Sequence, residues 1–147
     1  MGQSIVEVSR TVHAPADTVW RALTTPTGMK TVFFGADVAS DWRVGSPITF
    51  RGEFDGKPYE DRGEIRSFEP KRRLAFSHFS PGSGDADKPE NYNLVTFDLA
   101  PDDEETKVTL SQGRLHGDPS QADMKHREQF KKNWALALEG LARAVVD

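Results

Sequence analysis

The chain has 147 residues, 19 Lys and Arg against 23 Asp and Glu, and no cysteine, which excludes a disulfide-stapled scaffold and makes residues 1–147 a single domain with one core. A formal charge of −4 supplies no overall field for phosphate backbones or anionic lipid, so neither nucleic acid nor a membrane is an expected partner. Nine Phe, three Trp and two Tyr supply the large apolar units that a disordered chain lacks, despite a mean hydropathy of −0.61.

Met1–Arg10 lacks the basic head and apolar stretch of a signal peptide, and Val6 stands where a myristoylation motif needs Ser or Thr, so the expected location is the cytoplasm. Ile5, Val6 and Val8 predict a strand over Gln3–Val12, ended by Ala14-Pro15. A helix follows, with Pro15 at its first position, Asp17 at its positive end and Val19, Trp20 and Leu23 as its apolar stripe. Thr25-Pro26 ends it, and a short helical turn over Thr27–Thr31 leads into Val32-Phe33-Phe34 and Gly35.

From Pro47 to Leu115 the pattern changes to alternation punctuated by turn residues, which predicts five antiparallel strands. Ile48, Phe50 and Phe54 precede the tight-turn pair Asp55-Gly56, and the return strand places Tyr59, Asp61, Gly63 and Ile65 on one face. After the turn at Glu69-Pro70-Lys71 come Leu74, Phe76 and His78, then a long loop over Ser80–Pro89. Val95, Phe97 and Leu99 alternate, Pro101–Glu105 turns the chain, and Val108, Leu110 and Gln112 alternate again. In Asp118-Pro119-Ser120-Gln121 the acid is the expected N-cap, and one helix should run from Pro119 to Val146 with Phe130, Trp134, Ala137, Leu138, Leu141 and Val145 on its apolar side. At 1.5 Å per residue that helix is roughly 40 Å long. The sum is an α+β helix-grip fold, a curved antiparallel sheet wrapped around a long C-terminal helix.

The chemistry-bearing motifs are few. There is no Gly-x-Ser-x-Gly, no phosphate-binding glycine loop and no His-Glu-x-x-His. His13, His78, His116 and His126 match no zinc spacing and have no Cys to complete one, so neither metal nor cofactor is expected. The run Asp102-Asp103-Glu104-Glu105 reads as a solvated turn, and Lys71-Arg72-Arg73 as a turn and strand edge. His78 shares a face with Leu74 and Phe76, which suits a ligand contact or acid/base group, although a histidine satisfied by backbone or water is the favoured reading. Asp61 points inward if its strand is regular and outward if a bulge intervenes near Gly63, and both readings stay open. A sheet gripping one helix leaves space at its wide end for an apolar ligand. Candidate ligand-binding residues are Phe33, Phe34, Phe54, Tyr59, Asp61, Phe76, His78, Phe97, Gln112, Phe130 and Trp134.

The segments His13–Pro26, Asp41–Ser46, Gly63-Glu64-Ile65, Glu69–Leu74 and Asn133-Trp134 resemble the motifs of proteins related to the activator of the heat-shock protein 90 ATPase, within the START-like (SRPBCC) superfamily. This resemblance implies the helix-grip fold, a non-enzymatic cavity for a small hydrophobic or aromatic molecule, a possible role in stress response, and a monomer or homodimer. It also implies two alternatives, a chaperone-interacting module and an enzyme similar to polyketide cyclases and aromatases using His78 and Asp61. Two departures bear on cavity shape: Val32-Phe33-Phe34 stands where many relatives carry Trp, and Asn133-Trp134 where they usually read Gly-Trp. Eukaryotic activators carry a further N-terminal domain for which 147 residues leave no room, so ligand binding is the leading expectation.

Overall fold

The computed structural model describes residues 4–81 and 86–145. Alternating apolar residues build the strands β1 (Ser4–Val12), β2 (Asp37–Ser40), β3 (Pro47–Phe54), β4 (Lys57–Glu69), β5 (Arg73–His78), β6 (Asn93–Asp102) and β7 (Glu105–Arg114). They form one antiparallel sheet in the order β1-β7-β6-β5-β4-β3-β2. The helices are α1 (Ala16–Leu23), α2 (Pro26–Val32), α3 (Gln121–Lys125) and α4 (Arg127–Ala144). This is the expected α+β helix-grip architecture. None of the helices among the described residues is long and apolar enough to cross a membrane.

The inward strand positions Ile48, Phe50, Ile65, Leu74, Phe76, Val95, Phe97, Val108 and Leu110 form one core with Leu23, Met29 and Val32 from the first two helices and Ala137, Leu138 and Leu141 from α4. Two glycines permit close approaches. A Cβ on Gly140 would lie 2.6 Å from the Thr31 carbonyl oxygen, so α4 crosses α2 backbone to backbone. A Cβ on Gly63 would lie 1.7 Å from the Ser77 oxygen, and only hydrogen fits where β4 presses on β5.

Several expectations are corrected. β2 was not expected, because its four residues contain a single large apolar side chain, Val38. The second helix is longer than the Thr27–Thr31 turn, running from Pro26 to Val32. Pro15 is the N-cap of α1, one position before the helix.

The C-terminal helix is two helices, with His126 between them at φ −97° and ψ 10°. Its first N-cap is Ser120, not Asp118. The Ser120 hydroxyl accepts from the Asp123 N–H at 3.0 Å while the Asp123 carboxylate accepts from the Ser120 N–H at 2.8 Å. Arg114 at the end of β7 donates two further bonds to that carboxylate, at 2.7 and 2.8 Å. This tertiary fork ties α3 to the sheet and selects Ser120 over the acid two residues earlier.

Candidate functional site

The site begins where α2 stops. Phe33 caps the helix, and Phe34 adopts the left-handed region at φ 56°, a conformation that costs a non-glycine residue free energy. The turn sends the two rings in different directions. Phe33 enters the core, its ring centroid 5.1 Å from Phe50, 6.1 Å from Phe76, 6.5 Å from Phe97 and 6.0 Å from Trp134. Phe34 stays 62% exposed.

Between this turn, β3, β4, β5 and α4 lies a cavity of about 660 Å³, lined by Phe33, Phe34, Ala36, Phe50, Glu53, Tyr59, Asp61, His78, Ser80, Asn133 and Trp134. Its polar wall comes from the regular pairing of β3 with β4, which sets Asp61 opposite Phe50 in a register unbroken from Pro47–Glu64 to Phe54–Lys57. The bulge falls later, between Ile65 and Ser67, so Asp61 keeps its inward direction. His78 from β5 meets it, with Nε2 3.0 Å from Asp61 Oδ2. Because an ionised carboxylate only accepts, Nε2 is the protonated nitrogen of this pair, and Nδ1 is left to accept when the ring is neutral.

The pair is largely withdrawn from water, with side chains 26% exposed for His78 and 17% for Asp61. Phe50 shields one side, its ring centroid 5.5 Å from the imidazole. Burial, and then the negative charge of Asp61, push the Tyr59 phenol above its ordinary pKa and keep it a neutral hydroxyl.

Six of the eleven sequence candidates therefore share one cavity: Phe33, Phe34, Tyr59, Asp61, His78 and Trp134. Four of the others, Phe76, Phe97, Gln112 and Phe130, do not line it. Phe76 and Phe97 are fully buried beneath Phe33 as core. Gln112 is 6% exposed and accepts the Trp134 indole N–H at 2.6 Å, so it positions a wall residue instead of facing the cavity. Phe130 sits one helical turn before Trp134, half-buried, with His126 as its ring neighbour. Phe54 ends β3 opposite Lys57, and its side chain lies outside the described residues.

Sequence reasoning missed Phe50, Ala36, Glu53, Ser80 and Asn133 as lining residues. Phe50 carried a readable signal, since it alternates with Ile48 on the inward face. Asn133 carries no signal beyond its departure from the family's Gly-Trp pattern. Among the described residues no group of three or more His, Asp or Glu could hold a metal ion.

The model of the family described as activator of Hsp90 ATPase homolog 1-like protein matches residues 13–146. This chain belongs to that family. The solution structure of ChR145 from Cytophaga hutchinsonii is 38% identical to it, over 94% of this chain and 90% of that one, with a TM-score of 0.70. The crystal structure of MLL2253 from Mesorhizobium loti is 22% identical, over 95% of each chain with a TM-score of 0.72, and shares the fold. DynU16, described as a putative protein in the dynemicin biosynthetic locus, is 26% identical with a TM-score of 0.72, and the match covers 94% of this chain but 45% of that protein. A comparison with curated protein sequences finds no match. The Activator of Hsp90 ATPase homolog 1-like family and its START-like neighbours account for the helix-grip architecture.

Proposed function

We propose that this chain binds a small hydrophobic or aromatic molecule in the cavity between the curved sheet and α4, without catalysing a reaction. The observation that carries this reading is the cavity itself. Its volume of about 660 Å³ lies within the range of small-molecule sites, and its apolar walls with a few convergent polar groups are the usual composition of one. Phe33, Phe50 and Trp134 offer ring faces and edges, and Tyr59, Asp61 and His78 orient a polar substituent. Phe34, exposed and backbone-strained, stands where a ligand would cover it.

A second reading is supported by the His78–Asp61 pair. A carboxylate-oriented imidazole in a partly dry cavity can act as a general base, as an enzyme of the cyclase type requires. A chaperone-binding module, the other alternative carried by the family's description, needs a surface patch and leaves the cavity without a role.

Thermal unfolding in the presence of 2-naphthalenemethanol tests the leading reading. A ligand that binds only the folded state raises Tm progressively with concentration, by an amount equivalent to about 2.7 kcal/mol at a hundred times Kd. Loss of the shift in Ser80→Trp, which fills the cavity from its loop side, locates the binding. Flat melting curves with this alcohol, naphthalene and dodecanol would overturn the proposal and favour a surface-mediated role.

A further inference from the structure

Apart from His78, the ionisable charges on the cavity wall are of one sign. Its lining residues contribute two carboxylates, Asp61 and Glu53, and among the described residues no Lys or Arg. The basic side chains adjacent in the strands do not line the cavity and are already paired, Arg51 with Glu60 at 3.0 Å and Arg62 with Asp87. Lys57 shares a face of β4 with Tyr59 and Asp61 but is exposed at the hairpin tip and is not among the lining residues. Whether or not His78 carries a proton, the lining holds a net negative charge.

The rings of Phe33, Phe34, Phe50, Tyr59 and Trp134 line the same cavity as the inward carboxylate. Aromatic faces present negative potential, and cations bind to them through the ring quadrupole. We propose that the ligand of this cavity is cationic, a small lipophilic amine whose ammonium group lies beside Asp61 with its apolar body against the Phe33, Phe50 and Trp134 rings. This rests on the ligand-binding reading above and names the ligand's charge.

Three properties of the site favour such an occupant over an acid of the same shape. Asp61 is largely withdrawn from water, so a charge beside it is weakly screened. The carboxylate has one side-chain partner among the described residues, His78 through Oδ2, and its other oxygen can accept from an N–H of the ligand. A carboxylate ligand would meet Asp61 with no Lys or Arg among the lining residues to offset the repulsion. The raised pKa of Tyr59, which owes part of its shift to Asp61, reports the same field.

Calorimetric titration of the intact chain at neutral pH with three probes on one ring system decides the matter: 2-naphthylmethylamine, 2-naphthalenemethanol and 2-naphthoate. The amine should bind about tenfold more tightly than the alcohol, and the naphthoate at least tenfold more weakly than the alcohol. Asp61→Asn should reduce amine affinity about tenfold while changing that of the alcohol less than about twofold. The wild-type series stands without the variant if the variant fails to fold. Equal binding of amine and alcohol, or tightest binding of naphthoate, overturns the cationic ligand and leaves the cavity reading intact. Absence of binding by all three removes both.

Discussion

Replacing Gly140 by Ala sets two effects against each other, and the structure decides the sign. In a helix interior Ala is favoured over Gly by about 1 kcal/mol, so a surface position would gain stability. At this position the added Cβ lies 2.6 Å from the Thr31 oxygen and 3.4 Å from the Val32 Cα. Both are backbone atoms of α2 and have no rotamer with which to escape. The helices must separate by several tenths of an ångström, loosening the contacts of Leu138 and Leu141 with Met29 and Val32, all at most 1% exposed. Overpacking costs about 1–3 kcal/mol, and an approach of 2.6 Å to an immobile backbone oxygen puts this site in the upper part of that range, about 2–3 kcal/mol, so the net expectation after the helix gain is a loss of about 1–2 kcal/mol. Urea unfolding followed by far-UV circular dichroism should show a lower midpoint at unchanged slope, and Tm should fall by roughly 2–8 °C. Because α2 ends in Phe33, the near-ultraviolet signal of the aromatic cluster should change as well. A variant about 1 kcal/mol more stable than wild type would show that the helices do not touch here, refuting the packing argument.

Trp134→Phe keeps an aromatic ring but leaves the nearly buried Gln112 carbonyl without its indole donor, which should cost about 1–3 kcal/mol. Adding Gln112→Leu should recover part of that loss, and strictly additive effects in the double-mutant cycle would sink the coupling. Burial raises the Asp123 pKa, but the bonds from Arg114 and Ser120 outweigh it and hold the carboxyl below its ordinary value. Its contribution to stability is therefore full above the unfolded-state value of about 3.9 and lost as pH falls through the lower folded value. D123N should be less stable than wild type at pH 7, with the gap closing toward pH 3, and a gap constant with pH would contradict this. Chelation by EDTA should leave Tm unchanged in both wild type and H78A, whereas stoichiometric zinc lost on His78→Ala would contradict the absence of a metal site.

The meander was legible because each of its strands alternates large apolar residues, as in Val95, Phe97 and Leu99, all buried in β6. β2 was not, since Asp37–Ser40 gains its strand character from pairing with Ile48–Arg51 of β3. The break at His126 escaped notice for a related reason: helical periodicity continues through it, and the cause is the Arg114 fork from another element.

At the site, alternation aimed Tyr59 and His78 inward but left Asp61 open, because the position of the bulge, beyond Ile65, is not written in any one residue. Gln112 illustrates the limit of period-two reasoning. It faces inward as expected, yet only the course of α4 puts the Trp134 indole over it. The same holds for Phe130, which lies on the apolar stripe by spacing but is too near the break to reach the cavity.

The pairing of β1 with β7 has a consequence for how the chain is made. Ser9 and Thr109, whose hydroxyls meet at 3.2 Å, are separated by 100 residues. On the ribosome the first strand emerges with no neighbour to receive its edge, and at typical synthesis rates it waits about 5–20 seconds before its partner exists. An apolar ribbon left open for that time would be an aggregation hazard. The run Glu7-Val8-Ser9-Arg10-Thr11 is polar at four of its five positions, a composition suited to an interval spent alone in water.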